Sequence, residues 1–115
     1  MSIGVAVSDS PTGPFKDAIG KPLIANGSWS NIDPTVYIDD DGQAYLYWGN
    51  GFLAGAELND DMMSIKQETV KVFNIHGSFR EGAHVLYRNG QYYMMWSIDD
   101  TRSPNYSVGI GRAHV

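Results

Sequence analysis

Short runs of apolar residues, rich in Val, Ile, Tyr and Trp, are separated by polar stretches along the chain. Two such runs, Thr35–Ile38 and Ala44–Trp48, flank the polar stretch 39–42, which ends in Asp-Gly. Two more, 85–87 and 91–96, flank an Asn-Gly pair. Short runs of β-branched and aromatic residues are typical of strands, and an Asx-Gly pair between two strands favours a tight hairpin turn. The pattern therefore predicts two β-hairpins.

The remaining apolar runs also have the length and β-branched content of strands. They lie at residues 3–7, 53–58, 68–73 and 106–110. The stretch 59–66 could form a helix by length, but its Asn-Asp-Asp start favours a turn. An all-β protein with almost no helix is the prediction.

The two hairpins are copies of one another. Residues 41–49 align with residues 89–97 at an offset of 48 positions, with Gly, Gln, Tyr and Trp matched together. A weaker echo relates 2–7 to 107–112. A repeat of this length with about four short strands is typical of a β-propeller blade. A two-sheet sandwich also has short strands, but it does not predict internal copying.

The repeat divides the chain into one complete blade and two partial ones. We predict an all-β fold, a β-propeller fragment of about 2.4 four-stranded antiparallel blades. Residues 1–30 would end one blade, 31–78 would form a complete blade, and 79–115 would form most of the next. Incomplete blades leave strand edges that pair readily with other chains, so a homo-oligomer through the terminal strands is expected.

Composition excludes several classes of function. A net charge of −5 argues against nucleic acid as a partner, because binding phosphates requires an excess of Lys and Arg. No apolar run is long enough to span a membrane, and no cysteine is present. His76 and His114 lack metal-ligand spacing, so no cofactor or metal is predicted. The N-terminal residues lack the pattern of a signal peptide, and the compartment stays open.

Two acidic residues occupy equivalent positions in the repeat. Asp33 and Glu81 are 48 positions apart, and each precedes the first strand of its blade. First strands of propeller blades line the central channel, so both carboxyl groups would point into one cavity. Two carboxyl groups in one cavity suit glycoside hydrolysis, in which one protonates the leaving oxygen. The alternative is an Asp-Pro turn and a solvated loop acid.

Three segments carry a resemblance to a known family. Residues 31–49 resemble the second-carboxylate segment of glycoside hydrolase family 43, and 79–84 resemble its Glu-Gly-Pro general-acid motif. Residues 3–15 are similar to a frequent third-strand segment of the same family. The three segments occur in the family's order and cover nearly the whole chain. The resemblance is specific for the family and unspecific for the substrate.

The resemblance implies a five-bladed propeller that hydrolyses arabinose- or xylose-containing glycans with inversion. By motif, Glu81 corresponds to the general acid and Asp33 to the Asp that orients that acid and tunes its pKa. The family's general-base Asp belongs to the first blade, upstream of Met1, and no segment here matches it. Ala83 replaces the family's Pro. Some members hold a calcium ion on the propeller axis, but nothing in this sequence specifies one.

Four further residues are candidates for substrate binding. Trp29 and Trp48 offer flat rings on which a sugar can stack, or they pack in the core. His84 lies close enough to Glu81 along the strand to reach the channel. Arg102 follows Asp-Asp-Thr in a polar loop, where it would contact substrate hydroxyls or simply be solvated.

Two functions from different classes remain open. The leading hypothesis is a glycosidase, or part of one, that cleaves arabinose- or xylose-containing plant polysaccharides by acid–base catalysis. The alternative is a non-catalytic carbohydrate-binding or self-assembling propeller fragment that lacks the general base. An oligo- or polysaccharide is the expected partner in the first case.

Overall fold

The computed structural model of the protein describes residues 1–75 and 79–113, and strands dominate it. Three antiparallel sheets follow one another along the chain. Helical structure in these residues amounts to one 3-10 turn, Gln67–Thr69. None of their helices is long and apolar enough to cross a membrane. The prediction of an all-β chain is confirmed.

The first sheet is small and lies near the N-terminus. Strand β1 (Ala6–Val7) pairs with β2 (Lys16–Asp17), and an isolated bridge joins Ile3 to Ile24. The strand predicted at 3–7 is therefore shorter than expected. Strand β2 was not predicted, because its two exposed, charged residues carry no alternating pattern.

The second sheet is a four-stranded antiparallel meander, in which each strand pairs with the next along the chain. The fourth strand begins three residues later than predicted, because Gln67–Thr69 forms the 3-10 turn. The predicted turn after the third strand is present, with the Met62 amide donating to the Asn59 carbonyl at 2.9 Å. The strands are β3 (Thr35–Ile38), β4 (Ala44–Trp48), β5 (Leu53–Glu57) and β6 (Lys71–Phe73).

The third sheet has three described strands, β7 (Phe79–Arg88), β8 (Gln91–Ile98) and β9 (Ser107–Ala113). Asn89 and Gly90 form the two-residue loop between β7 and β8, with φ of 52° and 78°. Left-handed conformations at both loop positions are what a type I′ hairpin requires, which explains the Asn-Gly pair. Both predicted hairpins are confirmed.

The core lies between the first and second sheets. Side chains alternate along β4, so Leu46 and Trp48 point to one face while Tyr45 and Tyr47 point to the other. The first face packs on the N-terminal sheet, and the second lines a cleft of about 880 Å³ toward the third sheet. The buried cluster consists of Ile3, Ile24, Ala44, Leu46, Trp48, Ala54, Ala56 and Leu58.

The two tryptophans of the repeat have the same cross-strand environment. Trp48 is paired in register with Ala54, and Trp96 with Gly109. A Cβ atom at Gly109 would lie 2.7 Å from Cε2 of Trp96, so only glycine fits beneath this ring. The copied tryptophan thus requires a very small residue on the third strand of each sheet.

A hydrogen bond links the second and third sheets at their hairpin ends. The Tyr92 hydroxyl donates to the Asp39 carboxylate at 2.7 Å, and its ring meets Tyr37 edge-on at 6.1 Å between centroids. The hydrogen bond to Asp39 and burial hold the pKa of Tyr92 well above its ordinary value. The neutral phenol is therefore favoured in the folded protein.

We expect Tyr92→Phe to lower the urea midpoint of unfolding, because the substitution removes this link between sheets. The pKa of Tyr92 is higher folded than unfolded, so the stabilisation is complete below about pH 10 and is lost as the pH rises further. The gap between wild type and variant should stay constant from neutral pH to pH 9 and shrink above about pH 10.

Tyr93→Phe is the matched control, because the one bond of the Tyr93 hydroxyl to a described residue stays within its own sheet, to Gln91. We expect a much smaller change in its midpoint. Equal midpoints for the two variants would contradict the proposed link.

Candidate active site

Glu81 lies beside a β-bulge in β7. It is paired with Ser97, whereas His84 is paired with Met95, so three steps along β7 match two along β8. Gly82, directly after Glu81, has φ of 69°, a left-handed conformation that glycine adopts without strain. The Glu-Gly pair therefore sets where the strand kinks and which way the Glu81 side chain points.

We expect Gly82→Ala to lower the free energy of unfolding by about 1 to 2 kcal/mol, because an alanine is strained in this conformation. A Cβ atom at Gly82 would meet no heavy atom within 4 Å, so crowding adds nothing. Urea denaturation measures the loss. Gly4→Ala, at another open position without a left-handed φ, should change stability far less. A Gly82→Ala variant as stable as the wild type would contradict the left-handed conformation assigned to the bulge.

The second sheet holds the Glu81 side chain. The Asn50 side chain donates from Nδ2 to Oε2 of Glu81 at 2.6 Å, and Asn50 is only 6% exposed. The main chain on either side is also linked, because the Gly51 amide donates to the Arg80 carbonyl at 2.7 Å. The Ser97 hydroxyl donates to the Glu81 carbonyl at 2.9 Å. Glu81 is half-buried, and hydrogen bonds hold both its backbone and its carboxylate.

Asn50 owes its position to a tight turn after β4. Gly49 has φ of 137°, and its amide donates to the Ile32 carbonyl at 3.0 Å. A Cβ atom at Gly49 would clash with the Phe52 carbonyl oxygen, so the turn requires glycine. Asn50 is not among the site residues predicted from the sequence. The equivalent position in the repeat is Ile98. The replacement of an apolar residue by asparagine at this position was the one signal in the sequence that pointed to Asn50.

Asp33 lies just before β3, at the same end of its sheet as the Gly49 turn. It is exposed and has φ of 53°, a left-handed conformation uncommon for a residue with a side chain. Pro34 follows it. Neither Asp33 nor Glu81 lines the cleft between the second and third sheets. A cavity shared by the two carboxyl groups stays a prediction.

Arg102 is exposed and bound to a neighbouring acid. Its Nε donates to Oδ1 of Asp100 at 2.8 Å, and Arg80 reaches Oδ2 of the same carboxylate at 3.4 Å. The hydrogen bonds from the Arg102 side chain and main chain lower the pKa of Asp100 to about 2. Because Arg80 precedes Glu81, this contact ties the loop after β8 to the segment that carries Glu81.

The other predicted binding residues divide into exposed and buried ones. Trp29 is 64% exposed, and His84 is exposed on β7, so both stay predictions as binding residues. Trp48 is 4% exposed and belongs to the core cluster. Its assignment as a stacking platform is wrong, because the N-terminal sheet covers the face on which its ring lies. His76 and His114 lie outside the described residues.

Comparison with known proteins establishes the fold and the family. The structure aligns with an α-L-arabinofuranosidase from Clostridium thermocellum at a TM-score of 0.80 and 33% identity, over 96% of this chain and 39% of that one. Such enzymes are β-propellers, so the predicted propeller fold is confirmed. The family model of glycosyl hydrolases family 43 matches residues 1–115. The chain belongs to this family.

Curated relatives agree with this placement. A β-D-galactofuranosidase from Aspergillus niger is 37% identical over 92% of this chain and 32% of its own length. A β-xylosidase from Xylanibacter ruminicola is 51% identical over 93% of this chain and 44% of its own length. The chain therefore spans between about a third and somewhat under half of these proteins.

Proposed function

We propose that this chain carries the acid side of a glycosidase site, with Glu81 as the general acid and Asp33 as the residue that orients it. The observation that carries the proposal is Glu81 itself. It lies in the family's Glu-Gly segment beside a bulge, half-buried and bonded to a buried amide. A carboxyl group held in this way suits proton donation to a leaving oxygen.

In the proposed reaction the Glu81 proton moves to the glycosidic oxygen as the bond from that oxygen to the anomeric carbon breaks. The electron pair of the bond stays with the departing oxygen. Water attacks the opposite face, and a second carboxylate takes its proton. No segment of this chain matches the family's base, so a longer chain or a second copy must supply that carboxylate.

The proposed substrates are arabinose- and xylose-containing glycans, such as arabinoxylan and arabinan. Relatives of the chain are named as arabinofuranosidases, xylosidases and arabinanases, and one as a galactofuranosidase. Trp29 offers an exposed ring for stacking. Arg102 and His84 offer polar groups for sugar hydroxyls. The aryl glycosides of arabinofuranose, xylose and galactofuranose distinguish these specificities.

The test is hydrolysis of those three aryl glycosides by the purified protein, alongside binding of arabino- and xylo-oligosaccharides by calorimetry. We expect cleavage of the arabinofuranoside or the xyloside to exceed that of the galactofuranoside. Binding without any cleavage, even when azide is added to replace the missing base and its water, would instead support the non-catalytic alternative. A protein that neither binds nor cleaves these sugars would contradict both functions.

We also propose that the chain associates with itself through β9. This strand lies at the edge of the described third sheet, and Val108 and Ile110 on it are 66% and 62% exposed. Exposed apolar edges of this kind pair readily with another strand. A second copy would also bring further carboxylates to the site, including its own Asp33.

We expect light scattering at micromolar concentration to give at least twice the monomer mass. Replacing Val108 and Ile110 together with lysine should restore the monomer, because two charges then oppose pairing of the edge. Met62→Lys, a change in the turn after β5, is the control and should leave the mass unchanged. A monomeric wild type would contradict this proposal.

A further inference from the structure

Asn50 is a buried polar residue at the boundary between two sheets. It follows β4 of the second sheet, yet its hydrogen bond is to Glu81 of the third, at 2.6 Å between Nδ2 and Oε2. The neighbouring bond from the Gly51 amide to the Arg80 carbonyl fixes this turn against β7. The turn after β4 therefore holds the amide against Glu81.

Stability alone does not explain this amide. Within the described part of the chain, Oδ1 of Asn50 is buried and has no hydrogen-bond partner. A buried polar atom without a partner costs more free energy than a typical hydrogen bond contributes. An amide kept in place at this cost points to a role at the site.

A side-chain amide has a property that suits a general acid. Its N–H can donate to Oε2 in either state of Glu81, because Oε2 is the carbonyl oxygen while Oε1 carries the proton and a carboxylate oxygen once that proton has left. Asn50 can therefore hold the carboxyl group both before and after it gives up its proton.

We propose that Asn50 is a positioning residue for Glu81. By holding Oε2, it leaves Oε1 as the oxygen that carries the proton to the leaving group. Its N–H then stabilises the carboxylate that remains once the proton has moved to the glycosidic oxygen. The inference rests on the proposed role of Glu81 as the general acid.

The first test measures the order of the Glu81 side chain by NMR three-bond couplings, which needs no activity. We expect couplings of a single rotamer in the wild type and averaged couplings in Asn50→Ala. Asn50→Leu should behave like Asn50→Ala, because leucine has no polar hydrogen to donate to Glu81. It keeps the shape of the residue, so it serves if the alanine variant does not fold. Asn59→Ala, which removes an amide bonded to Ser64, is the control and should leave Glu81 unchanged.

The second test compares leaving groups. Asn50→Ala should lower kcat on an alkyl glycoside roughly 10- to 100-fold while changing KM little, because a misplaced acid slows only its own step. The kcat on a dinitrophenyl glycoside should fall less than twofold, because the dinitrophenolate leaves without a proton.

Equal losses on both substrates, or unchanged Glu81 couplings in both Asn50 variants, would overturn the inference. The proposed function fails separately, if Glu81→Gln itself leaves cleavage of the alkyl glycoside unchanged. In that case the couplings still decide whether Asn50 positions the side chain.

Discussion

Glu81→Gln should lower the rate of hydrolysis roughly 100- to 10,000-fold for substrates with poor leaving groups. Glutamine keeps the shape of the side chain and can still accept from Nδ2 of Asn50, but it has no acidic proton to give. For a dinitrophenyl glycoside the loss should be small, since this leaving group needs no protonation. Rates with the two substrates measure the effect.

Glu68→Gln is the control for this prediction. Glu68 is an exposed acid in the 3-10 turn Gln67–Thr69, so removal of its charge should leave both rates unchanged. Unaltered cleavage of the poor substrate by Glu81→Gln would exclude Glu81 as the acid.

Trp48→Ala should lower the free energy of unfolding by about 3 to 5 kcal/mol, the usual cost of deleting a large buried aromatic side chain. Trp48 is 4% exposed and packs in the core between the first and second sheets. A loss of this size is a large share of the roughly 5 to 15 kcal/mol that stabilises a typical domain. Urea denaturation followed by circular dichroism measures it.

Trp29→Ala is the matched control, because Trp29 is 64% exposed. Its free energy of unfolding should change by less than about 0.5 kcal/mol. Similar small losses in both variants, with weaker sugar binding in Trp48→Ala, would restore Trp48 as a stacking platform.

The hairpins could be predicted from sequence because their signals are local. Asn89 and Gly90 adopt left-handed conformations that few other residue pairs tolerate, and the apolar runs on both sides define the strands. The copied tryptophans then indicated the repeat. By contrast, β2 consists of two exposed residues held by pairing with β1, and such pairing leaves no local pattern.

The bulge at Glu81 could not be predicted from the 48-residue offset. The bulge adds a residue to β7, and the hairpin loop after β7 is shorter than the loop after β3. The two differences cancel in residue number, so Asp33 and Glu81 remain 48 positions apart. The two copied hairpins therefore align in sequence, but the pairing between their strands differs in register. The kink is visible only in the structure, in the register shifts on either side of Glu81 and in the left-handed φ of Gly82.

Burial of Trp48 and the contact of Asn50 with Glu81 depend on packing between sheets. Alternation shows that Trp48 shares a face with Leu46, but it does not show which face another sheet covers. Similarly, Asn50 and Glu81 are 31 positions apart and meet only because the second and third sheets are neighbours. Information of this kind is not contained in any short stretch of sequence.

Reaction with azide tests the central claim, that this chain carries the general acid, most directly. Azide attacks the anomeric carbon without losing a proton, so it makes the missing base unnecessary while the leaving oxygen still takes the proton of Glu81. With an alkyl arabinofuranoside or xyloside, we expect NMR to show glycosyl azide of inverted configuration forming with the wild type and not with Glu81→Gln. Equal formation by both proteins, or a product of retained configuration, would contradict the claim.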